Sequence, residues 1–299
     1  MEFVKPAVSV LMPSYNRERY IEAAMESVLA SSFHDLELVV VDDCSTDRTA
    51  DIAKNIAAKD PRVKVYVNKI NKGQFSNRNF AIELAKGRYI KFLDSDDIIY
   101  PHSLQYMIDA LELYPRAGFG IQYEIAPPAK PFPFEISSED AYRLHFLKGG
   151  LLFPGPSAVI FRREVLDEFS FNNNFGSVGD THLLLQIAAK YDVVALPTNL
   201  IYWRIHDEQA SEEQRTYGKI LWERYLMNQD ILSSSEVPLD KSESNLILQK
   251  YRRILCRNIV KHSLRHLDIR SFSNCKKSAK LEWHDFVDAL APNRQLKLK

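Results

Sequence analysis

Residues 89–97 read Tyr-Ile-Lys-Phe-Leu-Asp-Ser-Asp-Asp, a short apolar stretch that runs straight into three carboxylates within four residues. The apolar part, Tyr89–Leu93, reads as a buried strand. Like charges as close as Asp94, Asp96 and Asp97 repel, and partial burial raises their pKa values unless a cation neutralises them. Hard oxygen ligands suit Mg²⁺ or Mn²⁺, and Mg²⁺ takes one or two carboxylates and fills its shell with phosphate oxygens and water. A strand-end Asp-x-Asp therefore predicts a metal–diphosphate site. The plain alternative is an N-cap region ahead of Pro101.

The same grammar recurs upstream. Val8–Met12 ends at Pro13–Arg17 (PSYNR), Leu36–Val41 at Asp42–Asp47 (DDCSTD), and Val63–Val67 at Asn68–Asn79. Between the strands lie helical patterns: Tyr20, Ile21, Ala24, Met25, Val28 and Leu29, then Asp47–Ala58, then Asn77–Ala85. Strand–helix alternation implies right-handed crossovers and a mostly parallel sheet with helices on both faces. In such sheets ligands bind beyond the carboxyl ends of the strands. Any one polar cluster is explained by turn chemistry, since Asp, Ser and Thr favour turns and caps. Four at one sheet edge are not.

Downstream, four prolines in Ala126–Phe134 forbid helix and central strand, so this stretch is expected to be an extended loop. A helix is expected near Ser138–Lys148, a strand at Ser157–Arg162, a helix over Asp180–Tyr191, and strands at Val193–Leu196 and Leu200–Ile205. Beyond about Glu212 the patterns become helical, Ile220–Ser233 and then Asn245–Leu267. The expected division is a catalytic domain over 1–211 and a helical extension over 212–299.

Composition narrows the function. Among 299 residues, 39 Lys and Arg balance 39 Asp and Glu, which argues against a dedicated nucleic-acid binder. Three cysteines are too few for a disulfide framework. The N-terminus lacks the features of a signal peptide, and no apolar run reaches the ~18 residues of a membrane span. These features predict a cytoplasmic protein. No GxxxxGK[ST] loop and no GxGxxG after the first strand occurs, which removes the P-loop and the dinucleotide fingerprint.

PSYNR, DDCSTD, a Gly-containing loop ending at Arg78–Asn79, and FLDSDD, in this order after successive strands, resemble the family 2 glycosyltransferases of the GT-A, Rossmann-like fold. The resemblance is strong over residues 7–100 and weaker to about 210. It implies an inverting transferase that uses a nucleotide-diphosphate sugar, most often a UDP-sugar, and Mn²⁺ or Mg²⁺. It places Pro13, Tyr15, Arg17, Asn71, Gly73 and Arg78 around the nucleotide-sugar, Asp43 on the base, and Asp94 and Ser95 near the ribose and sugar. A carboxylate is chemically suited to the imide N–H of uracil. Asp96 matches the metal ligand, while Asp97 caps or braces the loop.

The resemblance also places the catalytic base at Asp180, opening a helix after Phe175-Gly-Ser-Val-Gly179. The family's Glu-Asp pair is reduced here to Gly179-Asp180, and the alternative for Asp180 is a helix N-cap. Tyr202-Trp-Arg-Ile-His206 is similar to the family's Tyr-x-Arg-x-His stretch, which makes His206 a second metal candidate and leaves a structural role open. Pro154–Ser157 is either a turn near the acceptor or a plain strand entry. The acceptor is expected to be a saccharide or a polyprenyl-linked sugar. Lys261, Arg265, Arg270, Lys276, Lys277, Lys280, Lys297 and Lys299 form a basic tail suited to anionic lipid at the inner face of a membrane, to a homodimer contact, or to solvent. A sugar-phosphate nucleotidyltransferase and a non-catalytic sugar-nucleotide binder are the competing readings.

Overall fold

The computed structural model describes residues 5–123, 130–207, 217–266 and 281–290. Contacts divide the chain into two compact units, Met1–Asn173 with Leu183–Ile205, and Asn174–His182 with His206–Lys299.

The first unit is built on an eight-stranded sheet of order β3-β2-β1-β4-β8-β6-β9-β7. Its strands are β1 (Val8–Ser14), β2 (Leu36–Asp42), β3 (Val63–Val67), β4 (Tyr89–Phe92), β6 (Ala117–Gln122), β7 (Phe134–Ile136), β8 (Val159–Arg162) and β9 (Asp192–Leu196). All neighbours among β3, β2, β1 and β4 pair parallel, as do β6 and β9; β8 and β7 run against them. This is the mixed, mostly parallel α/β sheet that the strand–helix alternation predicts. Every residue of β2 is buried, as a strand covered on both faces requires. Burying each such Val or Leu side chain stabilises the unit by about 1.5–3 kcal/mol.

The helices of this unit are α1 (Ile21–Leu29), α2 (Thr49–Ala57), α3 (Gln74–Leu84), α4 (Ser103–Leu113), α5 (Ser138–Leu147) and α6 (Arg163–Glu168). α1 buries Ile21, Ala24, Met25 and Val28, the i, i+3, i+4, i+7 stripe of an amphipathic helix. They join Val10, Met12, Leu38 and Val40 in one core. A charge at Leu38 or Val40 would break this packing, because no partner lies within it. A further helix, α7 (Gly179–Lys190), begins in the second unit and continues in the first.

Several boundaries differ from the expectations. α3 starts at Gln74, because Gly73 takes φ +84° and turns the chain into the helix three residues early. β8 starts at Val159, after a 3-10 turn over Pro156–Ala158. The late strand shrinks to β10 (Ile201–Tyr202), which among the described residues pairs with β5 (Ile98–Ile99) alone. Of the proline-rich loop, residues 126–129 lie outside the described residues and Phe134 enters β7. The stretch 98–122, without an expectation above, forms β5, α4 and β6.

The second unit contains α8 (Tyr217–Leu232), α9 (Lys241–His266) and α10 (Trp283–Leu290). Tyr225, Leu255, Cys256, Ile259, Leu281, Phe286 and Ala289 form its core. Arg252 donates to the Tyr225 hydroxyl at 3.1 Å and to Asp285 at 3.2 Å. α10 falls within the stretch read above as a basic tail, and its apolar side is part of this core. Lys261 is exposed on α9; the Arg265 side chain and the other basic residues from Arg270 onward lie outside the described residues. Among the described residues no helix is long and apolar enough to cross a membrane. The expected boundary at 211 also lies outside them; contacts divide the units at 205/206 and give 174–182 to the helical unit.

Candidate active site

Because β1 to β4 are parallel, their carboxyl ends share one edge of the sheet. β8 is antiparallel, so its entry, Pro154–Ser157, reaches the same edge. Pro13 is tolerated in β1 because the ladder to β4 stops at Leu11↔Phe92, leaving its missing N–H without a strand partner to lose.

The acidic loop after β4 sits between two arginines. Arg17 Nε donates to Asp96 Oδ2 at 3.0 Å, and Arg78 Nη2 donates to Asp94 Oδ1 at 2.7 Å. The Arg17 guanidinium is fixed by the Tyr15 and Asn16 carbonyls, and that of Arg78 lies over the Phe92 and Phe171 rings. Ser95 is buried between the two carboxylates in sequence. Asp97, 2% exposed, accepts from the Arg204 N–H and donates its own N–H to the Asp94 carbonyl, so it braces the turn. Burial, followed by the Asp94 charge, pushes the Asp97 carboxyl up to about 7, against hydrogen bonds from Ser157 and Arg204.

Among the described residues no group of three or more His, Cys, Asp or Glu side chains converges as a metal cage. The donor set present is nevertheless hard: the carboxylate oxygens of Asp94 and Asp96 at a strand end. That fits one Mg²⁺ or Mn²⁺ whose remaining ligands come from a diphosphate and water.

Asp43 is held by three donors. Asn68 Nδ2 and the Lys72 N–H reach Oδ1 at 2.8 Å, and the Gly73 N–H reaches Oδ2 at 2.9 Å. The carboxylate thus folds the β3–α3 loop around itself and fixes Asn71 and Gly73; the Asn71 side chain also accepts from the Gly73 N–H. The other residues of the DDCSTD stretch stitch neighbouring loops together. Asp42 accepts from Ser45, Thr46 donates to Asn16, and Asp47 accepts from the Glu18 and Thr49 N–H groups. Tyr15 remains 45% exposed at this edge.

Two supports escaped sequence reasoning. Lys91, wholly buried in β4, donates to the carbonyls of Phe92, Ser157 and Val159. Burial pushes its ammonium down to about 7, although Asp97 and Asp94 pull it up. Ser157 Oγ accepts from the Asp94 N–H at 2.9 Å. Lys91 therefore pins the entry of β8, and β8 in turn pins the acidic loop. The only signal was a lysine inside an apolar strand. Asn77 is the second support: it joins Asn68 to the Val41 carbonyl from the first turn of α3.

Asp180 and His206 fall in the second unit, whereas Asp94 and Asp96 fall in the first. Asp180 is the second residue of α7 and is partly buried; His206 is partly buried as well. The segment around Asp180 is gripped by α8. Ser177 donates its N–H to Glu223 Oε2 at 3.0 Å and its hydroxyl at 2.5 Å. His182 Nε2 lies 3.0 Å from Asp230 Oδ2, with its ring stacked on Phe175 at 4.1 Å.

The chain is similar to known proteins in sequence and in fold. UDP-Glc:alpha-D-GlcNAc-diphosphoundecaprenol beta-1,3-glucosyltransferase WfgD of Escherichia coli is 42% identical over 213 residues, 71% of this chain and 82% of that protein. Matches to three further relatives take in 40%, 58% and 65% of those proteins' lengths. The structure of S. aureus TarS 1–349 in complex with UDP-GlcNAc superposes with a TM-score of 0.64 at 22% identity, over 95% of this chain and 79% of that one. Mannosyltransferase PcManGT from Pyrobaculum calidifontis, in complex with GDP-Man and Mn²⁺, superposes at 0.60 and 15% identity, over 96% and 86%. These two likenesses bear on the fold alone. The description "Glycosyl transferase family 2" matches residues 9–170, more than half of the chain. By that match, on a sheet whose carboxyl edge gathers the four strand-end clusters, the chain belongs to glycosyl transferase family 2.

Proposed function

We propose that the protein is an inverting glycosyltransferase that moves a sugar from a UDP-sugar to a hydroxyl of a saccharide or polyprenyl-linked acceptor. The observation that carries this reading is the pair Asp94 and Asp96 at the carboxyl edge, each held by its own arginine. Likeness to WfgD, named for a UDP-Glc donor and a diphosphoundecaprenol acceptor, supports the substrate classes.

Pro13 and Tyr15 flank the nucleoside. Asp43 accepts the imide N–H of the base with a lone pair left beside its three internal donors. Asn71 and Gly73 shape the loop over it. Arg17 and Arg78 supply positive charge to the diphosphate, with Asp94 and Ser95 at the ribose and sugar. Asp96 would hold the cation; His206 is a second candidate ligand by the family resemblance alone. A bound Mn²⁺ or Mg²⁺ supplies Lewis acidity toward the departing diphosphate. Asp180 takes the proton of the acceptor hydroxyl as its oxygen bonds to the anomeric carbon and the bond to the UDP oxygen breaks. In-line attack inverts the anomeric configuration. The protein works in the cytoplasm or at the inner face of the membrane.

The test is incubation of purified protein with UDP-glucose, UDP-GlcNAc or UDP-galactose, Mn²⁺, and a GlcNAc-diphospho-lipid acceptor. Release of UDP with a product of inverted configuration is expected. Released pyrophosphate would mean nucleotidyl transfer, and binding without turnover would mean a non-catalytic subunit.

A further inference from the structure

The grip of α8 on the Asp180 segment has no role in the reaction as drawn so far. Glu223 and Asp230 stand seven residues apart, two turns along one helix face and roughly 10 Å along its axis. They hold Ser177 and His182, three residues before Asp180 and two after it. The approach is close: a Cβ on Gly176, whose φ is +48°, would collide with the Glu223 carboxylate. His182 is buried between Phe175 and Asp230, and its Nδ1 finds no hydrogen-bond partner among the described residues. That arrangement suits the neutral ring with the proton on Nε2, donating to Asp230. The opposite face of α8 carries Tyr225, which packs on α9 and α10.

We propose that α8 is the positioning element of the catalytic base: Glu223 and Asp230 are positioning residues that set where the Asp180 carboxylate stands. The inference rests on Asp180 being the base. It gives the helical extension a part in turnover, with α9 and α10 buttressing a helix that holds the reactive segment from behind. Misplacement of about 1 Å in a positioned group can cost up to 10²-fold in rate.

The experiment compares Glu223→Ala, Asp230→Ala, Glu223→Gln, Asp230→Asn and Asp180→Asn in the full chain, with kcat, donor KM and UDP affinity measured for each. The alanine variants are expected to lower kcat by about 10- to 100-fold with UDP affinity unchanged. Gln and Asn keep an acceptor for the Ser177 N–H and for His182, so they should recover most of the loss. In the Asp180→Asn background the alanine substitutions should change the residual rate less than twofold, because groups that act through one another are not additive. Full additivity, or an unchanged kcat in both alanine variants while Asp180→Asn is slow, overturns the positioning role. If Asp180→Asn itself keeps normal turnover, the base assignment fails instead. Should an alanine variant not fold, Glu223→Asp in both backgrounds makes the same comparison with a carboxylate too short to reach Ser177.

Discussion

The two units hold their polar groups in opposite ways. In the first, Lys91, Asp43 and Asp97 are at most 3% exposed, and backbone groups supply most of their partners. In the second, Glu223 and Asp230 reach out from a helix, Glu223 to the Ser177 N–H and hydroxyl and Asp230 to the His182 ring, and the Asp230 side chain is 58% exposed. A backbone-anchored group has one geometry for as long as the sheet is folded. A group that projects from a helix can shift with the helix that carries it. The first pattern suits a site that must recognise a fixed diphosphate. The second suits the proposed base, Asp180, which faces the acceptor. Substitutions in the first unit should therefore destroy donor binding, and those in the second should slow turnover with binding intact.

The largest expected effect is at Asp96. Asp96→Asn removes the charge that Arg17 pairs with and the hard donor at the strand end. Cation-dependent UDP binding should disappear while the thermal transition stays in place. Calorimetry with UDP and Mn²⁺ checks this, and unchanged binding would remove Asp96 as the metal ligand. Asp180→Asn should come next, lowering kcat by roughly 10²–10⁴-fold, the usual range for a positioned acid or base. Its UDP affinity should match the parent protein. A parallel fall in UDP affinity would break the division of labour between the units.

Truncation after residue 280 comes third. It removes Leu281, Phe286 and Ala289 from the second unit's core and Asp285 from Arg252. Loss of the buried Phe286 side chain alone is worth about 3–5 kcal/mol. The second unit should lose its cooperative transition in a calorimetric scan while UDP binding survives. Loss of UDP binding in soluble truncated protein would mean that the first unit does not stand alone.

How far this was legible in the sequence follows from the same contrast. β1 to β4 were visible because continuous β-branched runs such as Leu36–Val41 have one reading in an alternating α/β chain. Their polar ends marked the site edge. What α8 holds was not visible, since periodicity shows which face of a helix is apolar and nothing of what its polar face touches. α10 was missed because eight residues between basic stretches look like a tail until Leu281 and Phe286 find α9. Most of the DDCSTD stretch serves as loop stitching, and only hydrogen-bond partners separate Asp43 from Asp42 and Asp47.

Lys91→Met carries the fourth effect, within the first unit alone. Three carbonyls lose a buried donor, each at about 1–3 kcal/mol, and relief from burying an ammonium offsets part of that. Net loss of stability by about 1–2 kcal/mol is expected. Hydrogen exchange should quicken at β8 and the Asp94 N–H and stay unchanged in α9. Faster exchange throughout α9 would show that the effect is not confined to the first unit.

The smallest effect concerns acidity. Burial lowers the His182 pKa below its ordinary 6.5, and the Asp230 carboxylate, being largely exposed, restores only part of it. The unfolded chain therefore takes up a proton at His182 at a higher pH than the folded one does. Between pH 6.5 and the lower folded value the unfolded state binds more protons, so stability rises with pH across that window. Acidification from neutral pH should accordingly weaken the second unit, and the loss should level off once the folded ring is also protonated. Replacing His182 by Gln, which keeps an amide N–H for Asp230, should remove this slope while other titrations remain. Thermal scans of both proteins between pH 7.5 and pH 5 test it, with α9 amide exchange as the local readout. An identical pH slope in His182→Gln would show that the ring does not titrate with unfolding.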